Sequence, residues 1–191
     1  MLQILGGQWS GRRLKTLERD DLRPTSGRVK AALFSILEAY VWKREGAPPD
    51  FSAWRCLDLF AGVGGLGLEI LSRGAAHCVF VEKNRSHARV LQENISALGC
   101  GSSSQVIVGA VEEGAWESAG PFDLVLLDPP YAGSNLPHLL GRLADGSCLK
   151  AGAVILFEHD PKVELGEVPG LTLQSTRKLG PAGITVYVRD A

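Results

Sequence analysis

The sequence predicts an α/β fold, a doubly wound and mostly parallel sheet covered by helices on both faces. Three observations lead there. Short apolar runs, "CLDLFA", "CVFVE", "LVLLD" and "AVILFE", alternate with helical segments along most of the chain. The runs are nearly continuously apolar rather than alternating, which marks strands buried on both faces. The two most unusual motifs, "DLFAGVGGLG" and "DPPY", fall at the carboxyl ends of predicted strands, where open parallel sheets bind ligands.

The elements follow in order. Residues 2–17 contain strand-like pieces broken by Gly6, Gly7 and Gly11, which predicts a small β-hairpin. Thr25 or Ser26 can cap a helix in which Val29, Leu33, Ile36, Leu37 and Tyr40 recur at helical spacing. Residues 45–54 are a Gly- and Pro-bearing linker. "WRCLDLFA" is the first buried strand, and "GLGLEILSR" (65–73) is a helix stopped by Gly74. "HCVFVEKN" is the second strand, followed by the amphipathic helix "RSHARVLQENISALG". "SQVIVGA" and "FDLVLLDPPY" are the third and fourth strands, the latter ended by two prolines. "NLPHLLGRLAD" is a weak helix and "GAVILFEHD" a fifth strand. "LTLQSTRKLG" and "GITVYVRDA" form a closing antiparallel pair around "GPAG". Right-handed crossovers then complete a doubly wound sheet. Two units are expected: a basic extension over residues 1–44 and a main domain over residues 45–191.

Composition bounds the function classes. No apolar run approaches the roughly 20 residues that span a bilayer. The N-terminus lacks a charged region ahead of its short apolar stretch, so it does not read as a signal peptide. A cytoplasmic protein without membrane partners is expected. Cys56, Cys78, Cys100 and Cys148 include no C-x-x-C pair and no accompanying His cluster, which predicts reduced, mostly buried thiols and no metal site. The net charge of −1 conceals an asymmetry: residues 1–44 carry nine Lys/Arg against four acids, and the remainder eleven against seventeen. A basic segment on a mildly acidic body fits an anionic partner met at one end.

The glycine loop carries the first chemical signal. Gly62, Gly64 and Gly67 satisfy G-x-G-x-x-G between a predicted strand and helix. Glu82 ends the second strand, where a carboxylate can accept hydrogen bonds from ribose hydroxyls. That feature supports a nucleoside ligand without choosing one. Asp58 discriminates, because a carboxylate at the loop entrance repels a pyrophosphate. It suits the ammonium and sulfonium of S-adenosylmethionine. The chain is also short for a dehydrogenase with a separate substrate domain. Ala110, at the end of the third strand, offers backbone and apolar contact to an adenine.

The second signal is Asp128-Pro129-Pro130-Tyr131. An exocyclic amine conjugated to a base is a poor nucleophile. The Asp128 carboxylate and the Pro129 carbonyl can accept its two N–H bonds and aim its lone pair at a methyl sulfonium. Tyr131 can stack on the base. Catalysis is then mostly orientation and electrostatics. The motif alone leaves guanine N2, adenine N6 and a protein glutamine open as acceptors. A non-catalytic RNA-binding or assembly protein and, more distantly, a nicotinamide oxidoreductase are the rival classes.

In order along the chain, "GGQWSGRRL", "LRPTSGRVKAALFSIL", "CLDLFAGVGGLGLEILSRGA", "VEKN", "LLDPPY" and "KLGPAGITVYVRD" resemble the RsmD-type methyltransferases. The resemblance covers nearly the whole chain. It implies a seven-stranded, Rossmann-like methyltransferase sheet whose last strand is antiparallel, with a small N-terminal extension. It implies S-adenosylmethionine as cofactor and transfer to the exocyclic N2 of a guanine in 16S rRNA, within the small ribosomal subunit or an assembly intermediate. A monomer is expected. On this reading Asp58, Phe60, Gly62, Gly64, Glu82 and Ala110 hold the cofactor, and Asp128, Pro129 and Tyr131 hold the guanine. Arg12, Arg13, Arg23, Thr25 and Arg28 serve the RNA side. Three positions depart from the family pattern: Ala31 where an acid is common, Val63 where a serine is common, and Ala110 where a polar residue is common.

Overall fold

A computed structural model of the chain describes residues 2–17, 26–130, 135–163 and 165–191. Seven strands form one sheet: β1 (Arg55–Leu59), β2 (His77–Glu82), β3 (Ser104–Val108), β4 (Phe122–Leu127), β5 (Leu149–His159), β6 (Leu171–Leu179) and β7 (Ala182–Arg189). Their spatial order is β3-β2-β1-β4-β5-β7-β6. All pairs from β3 to β5 are parallel, and β7 runs antiparallel to both β5 and β6. The last strand is therefore the antiparallel one, and it lies inside the sheet. Strand order reverses between β1 and β4, which opens a crevice at their carboxyl ends.

The helices are α1 (Gly27–Glu45), α2 (Gly67–Ser72), α3 (Arg85–Leu98) and α4 (Leu136–Asp145). Ser26, one of the two expected caps, accepts a hydrogen bond from the Val29 amide at 3.2 Å. Asn84 and Asn135 cap α3 and α4 in the same way. The second helix is shorter than its 65–73 prediction, because residues 60–66 are spent on the glycine loop.

One face of the sheet buries Cys56, Phe80, Leu124, Leu126 and Leu156 against α1, α2, α3 and the N-terminal segment. The other buries Leu57, Val79, Val125, Leu127 and Phe157 against α4 and Trp116. Successive residues of one strand point to opposite faces, and both faces are covered, hence the unbroken apolar runs. The edge strand β6 is largely exposed and carries Arg177 and Lys178, charges that discourage pairing with another chain.

The expected N-terminal hairpin is present, short and antiparallel, centred on the bridge of Gln3 with Arg13. Cross-strand backbone bonds complete it: Ile4 donates to the Arg12 carbonyl, Gly11 to Ile4 and Leu14 to Leu2, at 2.9–3.0 Å. Leu5 and Gly6 donate to the Glu69 carboxylate at 2.7 and 2.8 Å, and Trp9 donates to Ser72 Oγ at 2.9 Å. Leu2, Ile4 and Leu14 share the apolar cluster of α1 and the sheet. All four cysteines are buried and free.

Candidate active site

Strand register places the predicted site residues along one rim. Leu59 pairs with Val81 on one side and Leu127 on the other, and Glu82 pairs with Val108. Phe60, Glu82, Ala110 and Asp128 thus end four adjacent strands. Asp128 is half-buried and Pro129 buried. Tyr131, Arg23 and Thr25 lie outside the described residues.

The glycine loop is held from both sides. Gly62 donates its amide to Glu82 Oε2 at 2.8 Å, and Glu82 Oε1 accepts the Asn84 amide at 2.7 Å. These two bonds fix the carboxylate at the rim and leave each oxygen a further lone pair. On the opposite side the Val63 carbonyl accepts from Asn94 Nδ2 at 3.0 Å.

The three glycines have different roles. Gly62 has φ +53, and a Cβ there would meet nothing within 4 Å, so it opens onto the rim. A Cβ on Gly64 would come within 2.5 Å of Leu91 Cδ1, and one on Gly67 within 2.3 Å of Phe80 Cε1. Those two serve close packing of α2 and α3 on the sheet. Phe60 also takes a positive φ of 63 at the start of the loop, a conformation rare outside glycine and typical of sharply turned functional loops.

Asp58 is 1% exposed, and its Oδ2 accepts the Gly67 amide at 2.8 Å. Burial pushes its carboxyl up to about 8; the Gly67 hydrogen bond opposes this, and the charges of Asp128 and Glu82 add to it. Three carboxyls therefore crowd the crevice, and Asp58 keeps its proton until a cation relieves the crowding. Such a site repels a pyrophosphate and is relieved by a cation. Together with the open cradle at Gly62, this donor set fits a nucleoside carrying an ammonium and a sulfonium.

Ala110 is half-buried beside a cleft of about 530 Å³, lined also by Lys83, Arg85, Arg89, Val108 and Glu113. The cleft flanks β2 and β3 and does not include Asp58 or Asp128. Arg12, Arg13 and Arg28 are all exposed. Arg12 bonds the Ala97 carbonyl at 2.9 Å, at the end of α3 remote from the rim, and Arg28 lies in the first turn of α1. The rim residues come together; these three arginines are spread over the N-terminal side. Among the described residues no group of three His, Cys, Asp or Glu could hold a metal.

Two supports were not anticipated from sequence. Asn94, 2% exposed, accepts the Lys15 amide at 2.8 Å and donates to the carbonyls of Lys15 and Val63. It thereby links the N-terminal segment to the glycine loop. Lys30 and Glu69 form a buried ion pair at 3.1 Å, with Lys30 Nζ also donating to the Gln3 carbonyl and Arg73 bonding Glu69 Oε1 at 2.9 Å. Burial lowers the Lys30 pKa, and Glu69 opposes that shift. The available signal was a polar residue within an apolar helical stripe: Asn94 beside Leu91 and Leu98, Lys30 beside Leu33 and Phe34.

The family described as Conserved hypothetical protein 95 matches residues 2–188. This chain belongs to that family, the RsmD-type methyltransferases. The Ribosomal RNA small subunit methyltransferase D of Escherichia coli K12 is 34% identical, over 100% of this chain and 91% of that protein. The protein of the same name from Haemophilus influenzae is 31% identical, over 97% and 93%. Among solved structures, the yhhF protein of Escherichia coli superposes with a TM-score of 0.83 at 33% identity, covering 100% of this chain and 98% of that one. A protein of Thermus thermophilus gives 0.77 at 30% identity, covering both chains fully. The seven-stranded sheet with its antiparallel last strand is thus the family's methyltransferase fold.

Proposed function

We propose that this chain transfers a methyl group from S-adenosylmethionine to the exocyclic N2 of a guanine in 16S rRNA. It acts as a monomer on the small ribosomal subunit or an assembly intermediate, and residues 1–44 are a basic, RNA-contacting extension. The observation that carries the reading is the rim itself: Asp58, Gly62 and Glu82 close the crevice on one side, and Asp128-Pro129 ends the adjoining strand β4. The names of the full-length relatives support an rRNA substrate.

The cofactor supplies a methyl group already activated on a sulfonium, so the protein needs no strong nucleophile. Its own residues bind and orient. Glu82 and the Gly62 turn receive the ribose side, and the Asp58 carboxyl, drawn into its ionised form by the cationic end, pairs with that end. Asp128 and the Pro129 carbonyl accept the two amine hydrogens, which localises the nitrogen lone pair for attack. After transfer Asp128 is the nearest base for the surplus proton. Tyr131 is assigned to stacking on the base. Pre-positioning of this kind supplies most of the rate enhancement available.

The test compares wild type with Asp128→Ala. The variant is expected to lose methyl transfer to small-subunit particles while retaining S-adenosylmethionine binding by calorimetry. Equal loss of both would make Asp128 a structural residue. Mass spectrometry of the particle's nucleosides identifies the acceptor, and a methylated adenosine in place of N2-methylguanosine would move the reading to the adenine alternative.

A further inference from the structure

A second basic cluster lies at the start of α3, at the opposite end of that helix from Arg12. Lys83 and Arg85 flank the helix start, and Arg89 follows one turn later; all three are exposed and line the 530 Å³ cleft with Val108 and Ala110. The first turn of α3 contains no acid. A helix N-terminus carries a partial positive charge and favours acids. Its orphan amides here are already served by Asn84, which accepts from Ser86 and His87. Lys83 and Arg85 therefore do nothing for the helix start and cost it stability, a cost that an anionic partner would relieve.

The same helix binds the N-terminal basic segment along its length. Arg12 reaches the Ala97 carbonyl, Lys15 bonds Asn94 through its backbone, and Lys15 Nζ meets Glu93 at 3.1 Å. Glu93 also meets Arg89 at 3.4 Å, so this acid is already matched. Glu93 pairs with Lys15 and Arg89, and Glu113 lines the cleft with Lys83, Arg85 and Arg89. The charge runs from the far end of α3 to the cleft beside the rim.

We propose that the outer face of α3, with residues 12–15, is a track for the phosphate backbone of the substrate RNA, ending at Lys83, Arg85 and Arg89. This rests on the rRNA reading above. Charge complementarity chooses the occupant: a run of exposed cations spaced along a helix matches a polyanion rather than an apolar or cationic surface. The track reads no base. It sets how the RNA lies while the acceptor nucleotide enters the rim.

The experiment uses the full chain with Arg85→Glu and Arg89→Glu combined. Arg85→Glu puts an acid in the first turn, which favours the helix, while Arg89→Glu gives up the pair with Glu93, so the variant is expected to melt close to wild type, checked by thermal melting. Particle affinity, measured against salt, is expected to fall at least tenfold near physiological ionic strength. Each phosphate contact contributes about 0.7–0.9 to the slope of log K against log salt, so the slope should drop by roughly 1.5 for two contacts. S-adenosylmethionine affinity should stay within about twofold. An unchanged slope in a variant that folds and binds cofactor overturns the track while leaving the methyl-transfer reading intact. A variant that loses cofactor affinity with an unchanged slope assigns these cations to the cofactor instead. Wild type that transfers no methyl to particles sinks the reading itself, and the track with it.

Discussion

The two faces of the sheet solve the same packing problem differently. On the α4 face Leu139, Leu140 and Leu143 meet Leu57, Val125 and Phe157 in an apolar contact that tolerates small changes of register. The face that receives α1, α2 and the N-terminal segment buries a charged lattice of Lys30, Glu69 and Arg73 and the amide of Asn94. Burying an ion pair gains little net stability against an apolar substitute, but each bond is directional. The polar face fixes where an appended segment sits relative to the glycine loop. The difference separates holding the fold together from aligning a substrate-side element with the site.

Glu69→Ala should break this contrast most severely. It strands the buried Lys30 charge and the Leu5 and Gly6 amides, and should cost about 3–5 kcal/mol by urea unfolding. Leu140→Ala, on the apolar face, should cost about 3 kcal/mol from the lost side chain and its cavity, with cofactor affinity unchanged. If that variant damaged cofactor binding as much as stability, the division of labour would be wrong. Asn94→Ala should cost about 2 kcal/mol for its unmade bonds, and here cofactor affinity should fall as well, because the Val63 carbonyl loses its tether.

Asp58 sharpens the comparison through pH. Its carboxyl ionises near 8 in the fold against an ordinary 3.8. Its stabilising contribution is therefore complete below about pH 4 and is lost as pH rises through 8, since the unfolded chain releases the proton first. The change amounts to at most about 1.4 kcal/mol per pH unit. Relative to Asp58→Asn, wild type should lose melting temperature steadily between pH 5 and 8; parallel curves would show that the carboxyl does not titrate there. Smallest of all, Glu117→Gln removes the exposed partner of Arg142 and should change stability by less than about 1 kcal/mol.

Much of this architecture is legible in the sequence because burial on both faces writes itself as apolar runs, and because a cap such as Ser26 announces a helix start, whereas Asn84, read as strand, caps α3. The rim is legible in Asp58, Glu82 and Asp128, charges in or at the end of apolar runs; the structure brings them together and shows that Asp58 and Glu82 also bond backbone amides. The N-terminal hairpin is legible, but where it docks is not. Its seat on the domain is set by Glu69 and Ser72, more than sixty residues away, and local propensity carries no trace of them. The same holds for the glycines. Their spacing marks a loop, but only the neighbours Leu91 and Phe80 reveal that Gly64 and Gly67 yield space to packing while Gly62 faces the rim.

The position of β7 has a consequence for how the chain is made. It is the last strand of the sheet to leave the ribosome, yet it is flanked by β5 and β6 on both sides. Until residues 182–189 emerge, β6 has no neighbour to bond and the exposed flank of β5 stays open, even though the rim from β3 to β4 can already pair. A nascent chain can thus assemble its glycine loop well before it closes its sheet. For that interval the open edge of β5, with Val154, Ile155 and Leu156 along it, is a site for chaperone capture or mispairing.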